Sequence, residues 1–324
     1  MNEPANPQGH IETPEDIDQH VEPHMVVETV PTKRRQIDLV KKFKEEKLFA
    51  FGVIIVFLSI FLAFFGPIIA PYDPNFATGN VSVGPPNLLD WPGLFIDTVF
   101  LGADPPHWFG TDNSGLDIFS RTISAPQTDL QIALIAALLS MVIGTTLGLL
   151  AGFFRHFSTE ILMRISDLLQ AFPVFITAMI LVALSGRSTV NIVIALTIVY
   201  LPIFIRLTRA EVLGQMPRGY VEAARAVGNS EFKVAFKHVL PNSLVPSLIQ
   251  LSTTVGFAIL LTSGLSFVGA GVRPPTAEWG LMIALGAPQI ILGEWWQSIF
   301  PGVAISLTIF GYAAVGHGLE EDYR

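Results

Sequence analysis

No cysteine occurs in the 324 residues of this chain, which excludes a disulfide framework, a thiolate nucleophile and thiolate metal ligation. Charge is also scarce. Only 14% of the residues are Asp, Glu, Lys or Arg against 51% hydrophobic, and mean hydropathy is +0.53. Soluble domains carry about 25% charged residues, so an ordinary soluble fold is excluded. None of Lys33, Lys41, Lys42, Lys44, Lys47, Lys233 or Lys237 follows a glycine. A Gly-Lys-Ser/Thr phosphate loop is therefore missing, and any ATP hydrolysis must occur on another subunit. The net charge of -8 gives no basic footprint for nucleic acid. Histidine is missing from the apolar runs, so Gly264-Leu265-Ser266-Phe267 has no base to make it a serine protease site. His20 and His24 are four apart, but with Pro23 between them in an acidic tail they make a poor metal cage; His10, His107, His156 and His317 have no ligand spacing. The expectation is a chain with no catalytic residue, no metal and no cofactor of its own.

What the chain does have is apolar runs of spanning length, at 48–70, 130–154, 162–185, 190–205, 243–264 and 297–315. They predict an all-α polytopic membrane protein of six transmembrane helices with both termini on one side. The fourth run is short and holds Pro202, which predicts a kink. The first begins only after a long polar segment, as an anchor does and a secretory signal does not. The predicted organisation is an acidic disordered tail at 1–32, a basic juxtamembrane segment at 33–47, the anchor at 48–70, an external loop at 71–129, a core at 130–315 containing a loop at 210–241, and a short tail at 316–324.

Basic residues are unevenly shared between the two sides. Lys33, Arg34, Arg35, Lys41, Lys42, Lys44 and Lys47 precede the first span, and Arg155, Arg164, Arg206, Arg209, Arg218, Arg225, Lys233 and Lys237 lie in or beside the even-numbered connections; Arg121, Arg187 and Arg273 fall opposite. Both termini and the 210–241 loop are therefore expected in the cytoplasm. The span interiors hold no Asp, Glu or His, which argues against an ion-coupled carrier, and Asp167 is expected to pair with Arg164 one turn away.

The most informative stretch is a polar island between two apolar runs, Glu222-Ala223-Ala224-Arg225-Ala226-Val227-Gly228, followed by His238-Val239-Leu240-Pro241-Asn242. A short helix is predicted from Tyr220 to Val227, then a turn at Gly228 that suits a positive φ. A second helix follows, capped by Ser230 with Glu231 in its first turn and reaching about to Leu240, where Pro241 fixes the chain direction. This pattern resembles the cytoplasmic loop of importer-type ATP-binding-cassette permeases. In that family the loop docks onto a separate ATPase, which by resemblance assigns ATPase docking to Glu222, Ala223, Ala224, Gly228, Leu240 and Pro241.

A second set of motifs narrows the resemblance. The end of the external loop, His107-Trp108-Phe109-Gly110-Thr111-Asp112-Asn113-Ser114-Gly115-Leu116-Asp117-Ile118-Phe119-Ser120-Arg121, resembles a segment of the second permease subunit in the dipeptide, oligopeptide and nickel importer family. The matching positions are Gly110, Thr111, Asp112, Gly115, Asp117, Ser120 and Arg121. Further matches are Met163-Arg164-Ile165-Ser166-Asp167, Ala171-Phe172-Pro173, Gly269-Ala270-Gly271-Val272, Trp279-Gly280 and Trp295-Trp296 with Phe300-Pro301-Gly302. The resemblance implies a type I importer core working with a second homologous permease, two ATPases that hold ATP and magnesium, and an extracytoplasmic solute-binding protein. It places the chain in the lipid bilayer of a prokaryotic inner or plasma membrane. The implied substrates are di- or oligopeptides, with nickel chelates and oligosaccharides as alternatives. The chain departs from the family at Trp108-Phe109, at Leu116, at Ala125-Pro126-Gln127, in a longer loop at 77–105 and after Leu319. Asp112 and Asp117 have the type of metal or substrate contacts, but the surrounding Gly, Thr, Asn and Ser have the composition of hydrogen-bonded turns, which favours a structural role. Trp295 and Trp296 are expected in the outer aromatic belt, and Gly264, Gly269 and Gly271 at helix contacts or an unwound segment.

Overall fold

Among the described residues of the computed structural model, five helices are long and apolar enough to cross a bilayer, and a sixth crossing would consist of a pair of helices bent by 98°. Residues 39–101, 105–154 and 157–323 are described; the acidic tail at 1–32 and the first part of the basic segment lie outside them. After α1 (Leu39–Glu45), the anchor α2 (Lys47–Ile69) buries one narrow stripe, Phe49, Gly52, Ser59 and Gly66, with Val56 and Ala63 partly buried beside it, and leaves most of its other side chains exposed. Its partners are α4 (Ile118–Phe153) and the last helix, α13 (Trp296–Tyr323). The external loop contains α3 (Trp91–Leu101), which hydropathy runs did not predict.

The second span differs most from expectation. Its helix α4 starts at Ile118, not near residue 130, and runs for 36 residues, about 54 Å of helix against a hydrocarbon core of about 30 Å. Asp129 is therefore not the end of the external loop but a fully buried residue inside a helix, one position before the acid-free apolar run at 130–154. The apolar run starts only at 130 because Ser120, Arg121, Thr122, Ser124 and Asp129 interrupt the early turns, although all are buried. Asp117 starts the helix by accepting the backbone N–H of Ser120 at 2.7 Å.

The third run is broken. Helices α5 (Phe157–Ala171) and α6 (Val174–Ser185) meet at Phe172-Pro173, where Pro173 has no N–H to donate and drives the preceding residue towards extended backbone. At 12 residues, α6 reaches about 18 Å, shorter than the hydrocarbon core of about 30 Å. By contrast α7 (Thr189–Gln215) does not end near Ile205 but runs on through Pro202 for 27 residues. Its polar last third lay outside the apolar run. After the loop elements comes α11 (Val245–Phe267), then the short α12 (Trp279–Gly286).

The most extensive helix contact is that of α4 with α7. Gly144, Gly148 and Gly152 make it possible, because a Cβ on them would meet Phe204 Cβ at 2.5 Å, the Ile205 carbonyl at 2.6 Å and Val212 Cγ1 at 2.8 Å. Glycine at every fourth position lets two backbones approach in a membrane, where lipid offers no hydrophobic drive for association. This stripe was readable in the sequence as Gly-x3-Gly-x3-Gly.

Candidate functional site

The 210–241 loop folds as a two-part knob. Helix α8 (Gly219–Ala226) is followed by α9 (Glu231–Lys233), a π-helical turn (Val234–Val239) and α10 (Leu240–Ser243). Gly228 adopts φ +85°, its N–H donates to the Arg225 carbonyl at 2.8 Å, and Asn229 N–H reaches back to the Ala224 carbonyl at 3.4 Å. These crossed bonds close the helix as a Schellman motif, with the left-handed residue where glycine carries no steric penalty. Ser230 caps the next segment by accepting Lys233 N–H at 3.4 Å. Across the turn, Arg225 binds Glu231 through Nε and a terminal nitrogen, both at 3.0 Å, a forked pair that holds the two segments together.

One face of the knob is fastened to the spans. Val221 and Ala224 pack with Val234, Ala235 and Val239 against Leu149 and Phe153 of α4 and Val212 of α7. The opposite face is exposed: Glu222, Ala223, Ala226 and Gly228 lie on it with Val227 at 83% and Phe232 at 63% exposure. Ala224, expected with the docking residues, instead faces inward and fixes the knob to its base. Leu240 is half-buried and Pro241 exposed. The second segment does not stop at Leu240. Its chain passes Pro241 by widening first, with Leu240 N–H bonded five residues back to Ala235, which precedes the point where a proline ring would crowd the α-helical carbonyl.

The 107–121 motif forms a different structure, a clamp at the end of α4 opposite the knob. Thr111 is fully buried, exchanges bonds with Val83 at 2.8 and 2.9 Å, and bridges to Asp117. Asp112 Oδ1 accepts the backbone N–H of Ser114 at 2.8 Å and of Leu116 at 2.9 Å, and Gly110 and Gly115 take positive φ. Asp117 Oδ1 lies 2.8 Å from His107 Nδ1 while Oδ2 caps α4. Ser120 Oγ accepts Tyr72 N–H at 3.1 Å. Arg121, 1% exposed, donates to the carbonyls of Pro74 at 2.8 Å, Pro275 at 2.9 Å and Thr276 at 3.3 Å. The two carboxylates are thus occupied by turn and cap donors. Trp296 also belongs here rather than to an outer belt, since its indole N–H donates to the Thr111 carbonyl at 3.0 Å; Trp295 stays half exposed.

Behind the clamp, two carboxylates from different elements receive the start of α12. Glu278 accepts from Gly280 N–H at 3.0 Å and Leu281 N–H at 2.6 Å, and Asp129 accepts from Trp279 N–H at 3.2 Å. Three successive helix-end donors are thereby satisfied in a fully buried place. Asp167 pairs not with Arg164 but with Arg206 of α7, at 2.6 Å. Gly264 lies under the Phe175 ring, a close contact of α11 with α6.

Comparison with known proteins agrees with this architecture. The profile of the family described as binding-protein-dependent transport system inner membrane component matches residues 144–320, and that of the N-terminal TM domain of oligopeptide transport permease C matches 37–86. The chain is 36% identical over 281 residues to the dipeptide transport system permease protein DppC of Alkalihalophilus pseudofirmus, covering 87% of this chain and 86% of that one. It is 36% identical over 270 residues to the di/tripeptide permease protein DppC of Pseudomonas aeruginosa, covering 83% and 85%. To the oligopeptide permease protein OppC of Bacillus subtilis it is 34% identical over 288 residues, covering 88% and 87%. With the first of these profiles matching more than half of its length, the chain belongs to the family of binding-protein-dependent transport system inner membrane components.

Proposed function

We propose that this chain is the non-catalytic permease subunit of an ATP-driven importer of di- or oligopeptides, supplying half of the translocation path. The observation that carries the coupling is the knob: its inner face is packed onto the inner ends of α4 and α7, and its outer face is exposed with an apolar tip at Ala226, Val227 and Phe232. A close-packed base transmits displacement instead of absorbing it. Closure of a docked ATPase pair then moves α4 and α7 together and turns the path from one side to the other. ATP and magnesium reside on those partner subunits, a second homologous permease completes the path, and a solute-binding protein delivers the substrate. The peptide substrate is supported by the relatives named for dipeptides, di/tripeptides and oligopeptides. The uneven basic residues support a cytoplasmic N-terminus in a prokaryotic inner or plasma membrane.

Gly228 provides the test. A Cβ there meets open space, so only the positive φ opposes a side chain. Gly228→Val places a β-branched residue in left-handed backbone and costs about 1–2 kcal/mol locally, whereas Asn tolerates that conformation. In the assembled complex, Gly228→Val is expected to lower substrate-stimulated ATPase activity and uptake with protein level preserved, and Gly228→Asn to stay near wild type. Unchanged coupling in an assembled Gly228→Val complex would sink the docking role.

A further inference from the structure

Helix α5 carries two exposed stripes of opposite character. Ile161, Ile165 and Leu168, continued by Phe172 just past the helix end, are between 46% and 65% exposed along one line, and Glu160, Arg164 and Asp167 lie about a quarter turn round the helix from them. The 98° bend sets this helix across the direction of α6. If α6 runs along the bilayer normal, α5 lies in the plane of the surface with its apolar stripe towards the acyl chains, the arrangement of an interfacial amphipathic helix.

The polar stripe faces α7 across a cavity of about 410 Å³ lined by Thr159, Glu160, Met163, Arg164, Asp167 and Arg209. Arg206 and Asp167 neutralise one another at the rim. Among the described lining residues Arg164, Arg209 and Glu160 remain, which leaves one positive charge in excess. The Nε of Arg209 is buried and has no hydrogen-bond partner, a costly condition for a charged donor unless an acceptor arrives. A guanidinium matches the two oxygens of a phosphate in its fork geometry. A single excess charge suits a phosphodiester, which carries one negative charge.

We infer that this pocket holds the phosphate of an anionic phospholipid, bridging α5 to the inner end of α7 just before the chain enters the knob. The leaflet, the inner one, follows from the orientation proposed above. Free phosphate shares the chemistry, but the apolar stripe beside the pocket favours a ligand that brings acyl chains to the same level.

The test uses the delipidated full chain in nonionic detergent, titrated with phosphatidylglycerol, phosphatidylcholine or inorganic phosphate and read by native mass spectrometry. Phosphatidylglycerol is expected to bind about tenfold more tightly than phosphatidylcholine. The double variant Arg164→Gln/Arg209→Gln should lose about tenfold in phosphatidylglycerol affinity, with phosphatidylcholine unchanged. If the double variant does not fold, Arg164→Gln alone, at an exposed position, should weaken the anionic lipid severalfold. Inorganic phosphate competing at equal concentration would make this a free-anion site and overturn the lipid assignment. Equal affinity for the two lipids, or variants that bind like wild type, would overturn the site itself. The readout involves no transport, so a failure of the peptide-import reading would show in uptake while this binding persisted.

Discussion

The indole N–H of Trp279 donates to the carbonyl of Thr122 at 3.0 Å. That carbonyl is the one that Pro126, four residues further along α4 and lacking an N–H, leaves open. A helix can thus carry an internal proline in a buried stretch because a side chain more than 150 positions away replaces the missing donor. The same bond ties α12 to α4 beside the Asp129 contact.

Trp279→Phe should keep most of the packing and leave the Thr122 carbonyl buried without a donor, at a cost of about 1–3 kcal/mol. In the double variant Trp279→Phe/Pro126→Ala, the alanine N–H can take that carbonyl. Thermal unfolding in detergent should show the double variant more stable than Trp279→Phe alone. Strict additivity of the two changes would mean the carbonyl is satisfied in another way.

Arg121 holds three carbonyls of two separate loops. Arg121→Met removes those charge-assisted donors and is expected to cost about 3 kcal/mol, loosening the external clamp before the spans. Limited proteolysis on the outer face should cut the region from residue 72 to residue 90 faster in this variant, with Arg121→Lys intermediate. Equal cutting rates would show that Thr111, Asp112 and Trp296 hold the clamp without the guanidinium.

The cysteine-free chain allows its topology to be read by single cysteines. Leu89→Cys, at a 93% exposed position of the loop before α4, and Thr189→Cys, at the start of α7, should react from outside, and Ser230→Cys only after permeabilisation. Reaction at Thr189→Cys from the inside would make α5 and α6 a re-entrant pair instead of a crossing, and would put the knob on the outer face.

Several features were legible one segment at a time. The membrane class, the positions of α2, α11 and α13, and the knob with its positive-φ Gly228 and Ser230 cap all rest on apolar run length or on turn chemistry confined to a few neighbouring residues. The Gly144, Gly148 and Gly152 stripe has an equally local signal but is not among the sequence-based expectations. Its spacing was visible even though its partner helix was not.

Residue order by itself therefore determined that the chain is a bundle of membrane helices with a polar knob between two of them, because hydropathy and helix-ending signals act over one to six turns. Only the tertiary structure decided that α4 begins at Ile118, that Asp167 belongs to Arg206, that Trp296 and Arg121 close the clamp opposite the knob and that Ala224 faces inward. Each of these depends on a polar or small side chain finding its partner in an element distant in sequence. A buried polar group is tolerated only where such a partner satisfies it, and no window along the chain contains both members of the pair.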